Sequence, residues 1–427
     1  MSTTATILPL GLTNIERLQS VQKSIEAGFA PNFSSLKKAI AHIHANPEIA
    51  FEEYIAHDTL CDYLESLGFA VTRKAFGVET AFEVLYGQGG RLVSIAAEYD
   101  ALPGVGHGCG HHLIAATSVA AFLGLVHALK DQGVPGRVQL LGCPAEENQG
   151  GKVALVRGGA MNGVDAAVEA HPVPPEKKAG PRGPIDMTGV GTLPSLAMTR
   201  WVVEYHGRAA HAAGFPHQGI NAYDAAIAAY NNVAFLRQQT LSEERIHGVI
   251  LEGPTVPNTI GHYTKSVWVA RSLSKGTLLA LSKRMVACFE AAATATGCTV
   301  EITEGNMYLD QVITESLCQR YADIANSTGG EKVTPFSSKV ETGSTDFGNF
   351  TYECPGVHAY YAIDCSPETI MHHQSFTEAA GTEDAYTRAT QVGVIVALTA
   401  WDLLTDDAFF EEIKKEWEGK LQTHLSL

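Results

Sequence analysis

Between Arg91 and His171 the chain sets short apolar runs on either side of one apolar stretch of helical character, and few folds accept that order. RLVSIAAEYD (91–100), RVQLLGCPAEE (137–147) and DAAVEAHP (165–172) are each closed by Gly, Pro or charge and read as buried strands. Between the first two, HHLIAATSVAAFLGLVHALKDQG places Leu113, Ala116, Ala120, Leu123 and His127 at helical spacing and stops at Gly133. This is a βαβ unit, which implies a parallel sheet. Ligands of such sheets gather beyond the carboxyl ends of the strands. Asp100, Glu146, Glu147 and His171 all lie at those ends.

A different pattern begins near Pro194. LAMTRWVVEYHG alternates as a strand does, GINAYDAAIAAYNNVAFLRQQ is helical, RIHGVILEG and SVWVARSL are strands, SKGTLLALSKRMVACFEAAATAT is helical and CTVEITEG is a strand. The order βαββαβ is the ferredoxin-like split arrangement, and it predicts a compact insert. GVHAYYAID then supplies a further core strand, so the first domain is discontinuous: residues 1–192 and 307–427, interrupted by an inserted domain over 193–306. The fold class is α/β, a mixed sheet flanked by helices with an inserted α+β domain.

A chain of 427 residues exceeds the size at which one core stops growing, which agrees with two domains. Its 45% apolar and 18% charged residues are those of a folded globular protein. A formal charge of −16, without a Lys/Arg cluster, argues against nucleic acid as a partner. The opening MSTTATILPLGLTNIERLQS lacks the basic, apolar and small-residue succession of a secretory signal, so a cytoplasmic location is expected. The most apolar segment, Ala115 to Leu129, is too short for a membrane span and contains His127, which predicts a buried helix and no membrane partner. Eight cysteines are scattered without a C-x-x-C pair, and seven of them are expected to be free core thiols.

Cys109 is the exception. HGCGHH (107–112) gathers three histidines and a cysteine among glycines at the start of the predicted helix. Alone, such a cluster is as well explained by a polar loop. With Glu146–Glu147 and His171 at equivalent ends of the next two strands, thiolate, imidazole and carboxylate converge on one sheet edge, a donor set that suits Zn²⁺ or a neighbouring first-row metal. The adjacent glutamates, otherwise a solvated acidic turn, suggest a division of labour in which one holds metal and the other moves a proton.

Taken in order, EYDALPGVGHGCGHHLIA, CPAEENQGGK, VEAHP, HGRAAHAAGFPHQGINAYDAA, PNTIGHYTKSVWVARS and GSTDFGN resemble the aminoacylase/carboxypeptidase family of metal-dependent amidohydrolases. The similarity runs from about Ile40 to about Leu404, and is greatest to the branch holding β-alanyl-lysine dipeptidases, aminobenzoyl-glutamate hydrolase and indole-acetyl-amino-acid hydrolases. The resemblance implies a zinc-exopeptidase-like sheet with a lid and dimerisation insert. It makes Cys109, His111, Glu147 and His171 metal ligands, with Cys109 bridging two ions, and Glu146 the catalytic base. The last ligand falls on His372 of MHHQSF, with His373 as the alternative, because the family's usual partner at 373 is a small hydroxyl residue. Asp100 would orient a ligand histidine, while His107 and His112 would be hydrogen-bonded neighbours.

On the insert, His211 resembles the residue that reaches a neighbouring subunit's active site and steadies the oxyanion. Asn258 and Arg271 resemble contacts to a substrate carboxylate, and Gly343, Ser344 and Asp346 a turn lining the acyl side of the pocket. The expected cofactor is one or two divalent ions, Zn²⁺ or Mn²⁺ first and Co²⁺ next. The expected partners are a small amide or dipeptide substrate and a second copy of the chain, paired through the insert. The expected activity is amide hydrolysis of an N-acyl amino acid or dipeptide. Two other readings stay open at this stage: the same site run as an amide-condensing enzyme, and a catalytically silent binding protein of the same fold.

Overall fold

The computed structural model describes residues 12–175, 179–180, 183–184, 188–328, 330–337, 343–366 and 368–426. They form two compact units. One takes the described chain up to Pro194 together with 311–337 and Asp346–Leu421; the other takes Ser195–Asp310 with 343–345 and 422–426.

The first unit is built on an eight-stranded sheet in the order Val71–Arg73, Phe82–Gln88, Gly136–Cys143, Leu92–Glu98, Ala166–Val173, Gly356–Ala362, Gly189–Val190 and Val333–Thr334. Its middle four strands run parallel and the flanking pairs introduce antiparallel neighbours. Every residue of Leu92–Glu98 is buried, as expected of a central parallel strand covered on both faces.

The helix His111–Gln132 ends at Gly133 in the left-handed conformation, φ 61°, whose N–H caps the carbonyls of Leu129 and Lys130. It packs on the sheet and against the helices Leu12–Phe29 and Glu383–Thr405. By length and composition it could cross a membrane, but 94% of its most apolar window is buried inside the protein. Being enclosed on nearly every side explains its lack of a polar face. Gly28 and Gly124 permit a close helix approach, since a Cβ would lie 2.4 Å from His127 Cβ at the first and 2.6 Å from Ile25 Cγ2 at the second.

In the second unit an antiparallel sheet runs in the order Arg245–Glu252, Tyr263–Ser272, Ala197–His206, Thr299–Glu304. Its helices are Ala222–Leu236 and Lys275–Thr296, giving the βαββαβ order that the sequence predicts. Ala197–His206 alternates buried and half-buried residues, so one face packs Trp201, Val203 and Tyr205 into a core with Trp268, Met285 and Phe289. Ser274 and Thr277 form a capping box that starts the second helix, and Gly297 ends it at φ 77°.

Candidate metal centre

The parallel strands deliver the donors to one edge of the first unit. After Leu92–Glu98 the chain loops to Gly110, φ 83°, and enters the helix at His111. A side chain at residue 110 would sit 2.8 Å from Pro172 Cγ, so glycine lets the helix start beside the end of Ala166–Val173. There Cys109 Sγ comes to 3.4 Å from His171 Nε2.

Asp100 is held through both of its carboxylate oxygens. Its Oδ1 pairs with His111 Nδ1 at 2.8 Å, which leaves Nε2 directed at the centre, and its Oδ2 accepts from the Glu147 main-chain N–H at 3.0 Å. Asp100 thus bonds both His111 and the main chain of Glu147, two of the residues expected as donors.

Glu146 and Glu147 follow a strained turn. Ala145 adopts the left-handed conformation at φ 60°, and its N–H donates to the buried Glu53 at 2.9 Å. Gly151 closes the turn: its N–H donates to the Ala145 carbonyl at 3.2 Å, and a Cβ on it would fall 1.7 Å from the Pro144 carbonyl oxygen. Glu146 Oε2 and Glu147 Oε1 each lie 3.9 Å from His111 Nε2.

His372, also left-handed at φ 62°, donates its N–H to the Gly108 carbonyl at 2.8 Å and brings Nε2 to 3.3 Å from Glu147 Oε1. His373 instead caps the helix Gln374–Ala380, its Nδ1 accepting from the Ser375 N–H. Of the two histidines, then, 372 joins the cluster. His107 and His112 give Nε2 to the carbonyls of Ile43 and Ala380 and stand outside the donor groups. Burial pushes both of their pKa values down.

Three donor groups result, each with its ligand atoms within 4.8 Å of one another: Cys109, His111 and His171; Cys109, Glu147 and His372; Glu98, His111 and Glu146. Cys109 belongs to two of them. Burial alone pushes its thiol well up, with Glu147 adding to that, so a thiolate here requires positive charge nearby. Burial likewise pushes Glu146 well up, reinforced by Glu98 and Asp346, and it pushes His171 down to about 4. Imidazole nitrogens, a buried thiol and paired carboxylates are the donor set that divalent metal takes, and the residues fit that group.

Behind this edge lies a charge cluster that sequence reasoning misses. Lys152 is fully buried, pairs with Glu98 and with Asp346 Oδ1 at 2.8 Å, and lies 3.9 Å from Glu169 Oε1. Asp346, expected to line a pocket, is withdrawn into the interior and also accepts from the Lys152 main-chain N–H at 2.8 Å. Across the strand pairing, His358 faces Glu169 at 3.7 Å. The available signal was a charged residue inside each apolar run, Glu98 and Glu169, two positions before Asp100 and His171 and therefore of the same strand parity.

The second unit holds the other predicted residues. The backbone pairs His211 with Thr259, and the Ala212 N–H donates to the Asn258 carbonyl at 2.9 Å, so the His211 and Asn258 segments run side by side. Both residues are exposed, and His211 Nδ1 accepts from the Gly214 N–H at 3.0 Å. Arg271 donates to Ser344 Oγ at 2.6 Å, and the Gly343 carbonyl accepts from the Leu196 N–H at 3.0 Å.

A mixed α/β sheet with an interrupting unit and a thiol, imidazole and carboxylate cluster at its edge defines a metal-dependent hydrolase of C–N amide bonds. The chain belongs to peptidase family M20/M25/M40, whose model matches residues 94–398. It is 37% identical to an Xaa-Arg dipeptidase of Mus musculus, over 92% of this chain and 90% of that protein. It is 31% identical to a p-aminobenzoyl-glutamate hydrolase component of Escherichia coli (strain K12), over 66% of this chain and 60% of that one. In fold it is similar to a dinuclear metal-binding peptidase of the M20 family from Bacillus subtilis, with a TM-score of 0.60, 20% identity and coverage of 86% of this chain and 98% of that one.

Proposed function

We propose that this protein hydrolyses the amide bond of a dipeptide or N-acyl amino acid that carries a free carboxylate, with Glu146 as the proton carrier. The observation that carries the reading is the sharing of Cys109 between two donor triads, with Glu146 beside the one that contains His111. Sharing of a soft donor favours two ions, and the mixed sulfur, nitrogen and oxygen set favours Zn²⁺, with Mn²⁺ and Co²⁺ as alternatives. Divalent ions held here supply polarisation of the scissile carbonyl and acidification of water.

The protein's own residues do the rest. Asp100 fixes the His111 tautomer through Nδ1. Glu146 removes the proton of the attacking water and returns it to the leaving nitrogen, a task for which its carboxylate, 3.9 Å from His111 Nε2 at the donor cluster, is placed. Arg271 and Asn258 receive the substrate carboxylate, the Arg fork matching it with two parallel bonds. The relatives' names describe a dipeptide and an aminobenzoyl-glutamate amide, both consistent with a small amide as substrate.

We also propose that the second unit pairs with a copy of itself, bringing His211 to the partner's reaction centre to steady the oxyanion. Among the described residues Arg245–Glu252 is an edge strand paired on one side only, and it exposes Val249 and Leu251. The helix Ala222–Leu236 exposes Tyr223, Ile227 and Tyr230, and Phe235 is 73% exposed. Exposed apolar residues on this helix and on the edge strand favour self-association.

The test is a screen of protein purified without chelator against dipeptides and N-acyl amino acids, with Zn²⁺, Mn²⁺ or Co²⁺ added. Turnover that chelation abolishes and metal restores supports the proposal. Protein without bound metal, or turnover insensitive to chelation, refutes it.

A further inference from the structure

We infer that Glu98 is an additional oxygen donor to the metal centre, held in place by Lys152. The inference rests on the metal-dependent reading above and adds to it a residue from outside the expected ligand set.

Glu98 ends the central strand Leu92–Glu98 with a side chain that is 1% exposed. Its two oxygens have different surroundings. Oε1 is taken by the Lys152 ammonium, which Asp346 holds from the other side. Oε2 is buried, lies 3.3 Å from His111 Nε2, and neither atom forms a hydrogen bond with any described residue. A proton on Nε2 shared with Glu98 would make such a bond; two lone pairs pointed at a common cation would not. Two donors each about 2.1 Å from one tetrahedral ion stand about 3.4 Å apart, close to the separation seen here. Glu146 completes a group whose ligand atoms lie within 4.8 Å of one another.

Electrostatics leads to the same place. A buried carboxylate without a partner for one oxygen is costly. The Lys152 ammonium, held between Glu98 and Asp346, balances the charge of the Glu98 carboxylate and leaves its second oxygen at the edge where the thiol and the imidazoles gather. Glu169, also buried, stands farther from the same ammonium, at 3.9 Å.

The decisive measurement is a crystal structure of the wild-type protein loaded with Zn²⁺. Glu98 Oε2 at about 2.0–2.2 Å from an ion supports the inference, and a separation beyond about 3 Å from every ion overturns it. The second measurement titrates the Zn²⁺-loaded wild-type and Glu98→Gln proteins with a chromophoric chelator, after circular dichroism has shown that both are folded. Release of one ion at an affinity lowered by more than about 100-fold is expected, beyond the 10–100-fold that loss of an outer partner costs. A smaller loss overturns the inference. Wild-type protein that binds Zn²⁺ without Glu98 defeats this inference alone; wild-type protein that binds no divalent ion defeats the proposed function with it.

Discussion

Glu53, with no solvent-exposed surface, accepts a hydrogen bond of 2.9 Å from the main-chain N–H of Ala145. That bond ties the start of the helix Tyr54–Ser66 to the left-handed turn from which Glu146 projects. Burial, and secondarily the charge of Asp100, raises the Glu53 carboxyl from 4.5 to about 7. Between those values the folded protein retains a proton that the unfolded chain has released. The contribution of Glu53 to stability is therefore greatest below pH 4.5 and falls as pH rises towards 7, by on the order of 3 kcal/mol. Melting temperatures recorded from about pH 4 to about pH 8 should show this decline in the wild type and a flatter profile in Glu53→Gln. Parallel profiles would remove Glu53 from the account.

Glu146→Gln keeps the size of the side chain and removes its ability to take a proton. Turnover should fall by about 10²–10⁴-fold while metal content stays at the wild-type level. Steady-state rates and elemental analysis of the same preparation check both halves. Near-normal turnover would mean that another group carries the proton.

Asp100→Asn weakens the acceptor that fixes His111, although the Oδ1 position can still receive Nδ1–H. The expected result is a loss of metal affinity of about 10–100-fold, read from competition with a chelator. Unchanged affinity would show that His111 is positioned by packing alone.

Gly151→Ala places a methyl group 1.7 Å from the Pro144 carbonyl oxygen, which is backbone and cannot swing aside. Denaturant unfolding should report at least about 3 kcal/mol of lost stability, or no folded protein. Gly163→Ala, at φ 74° with nothing within 4 Å, is the control and should cost about 1–2 kcal/mol from backbone strain alone.

Phe235→Asp and Val249→Asp put charge at two exposed apolar positions of the second unit, one on a helix and one on the edge strand. Sedimentation should show a dimer for the wild type and a monomer for the double variant, with Tm nearly unchanged because both residues are exposed. A wild-type monomer with full activity would end the role proposed for His211.

Much of this was legible in the sequence because periodicity reports burial. Leu92–Glu98 is covered on both faces and shows an unbroken apolar run; Ala197–His206 is covered on one and alternates. The short-range relation of Cys109 to His111 across the helix start could be anticipated from strand followed by helix. The sequence also prefers His372 to His373, but the physical reason lies in backbone conformation, since His372 at φ 62° turns towards Glu147 while His373 is spent on a cap. Glu53 and Lys152 escaped notice because each acts on partners far along the chain, Glu53 on Ala145 and Lys152 on Glu98 and Asp346. A charged side chain buried by distant segments leaves no period in its own neighbourhood.

The strand Gly356–Ala362 belongs in the middle of the sheet, hydrogen-bonded to Ala166–Val173, and His372 follows it. During synthesis the ribosome releases Cys109, His111, Glu147 and His171 long before either, and the growing polypeptide must carry an open β edge through translation of the whole intervening unit. On the proposed reading, capture of a cation by all of these donors is consequently a late event in biogenesis, and a prematurely terminated product would present an unmatched edge to the proteostasis machinery.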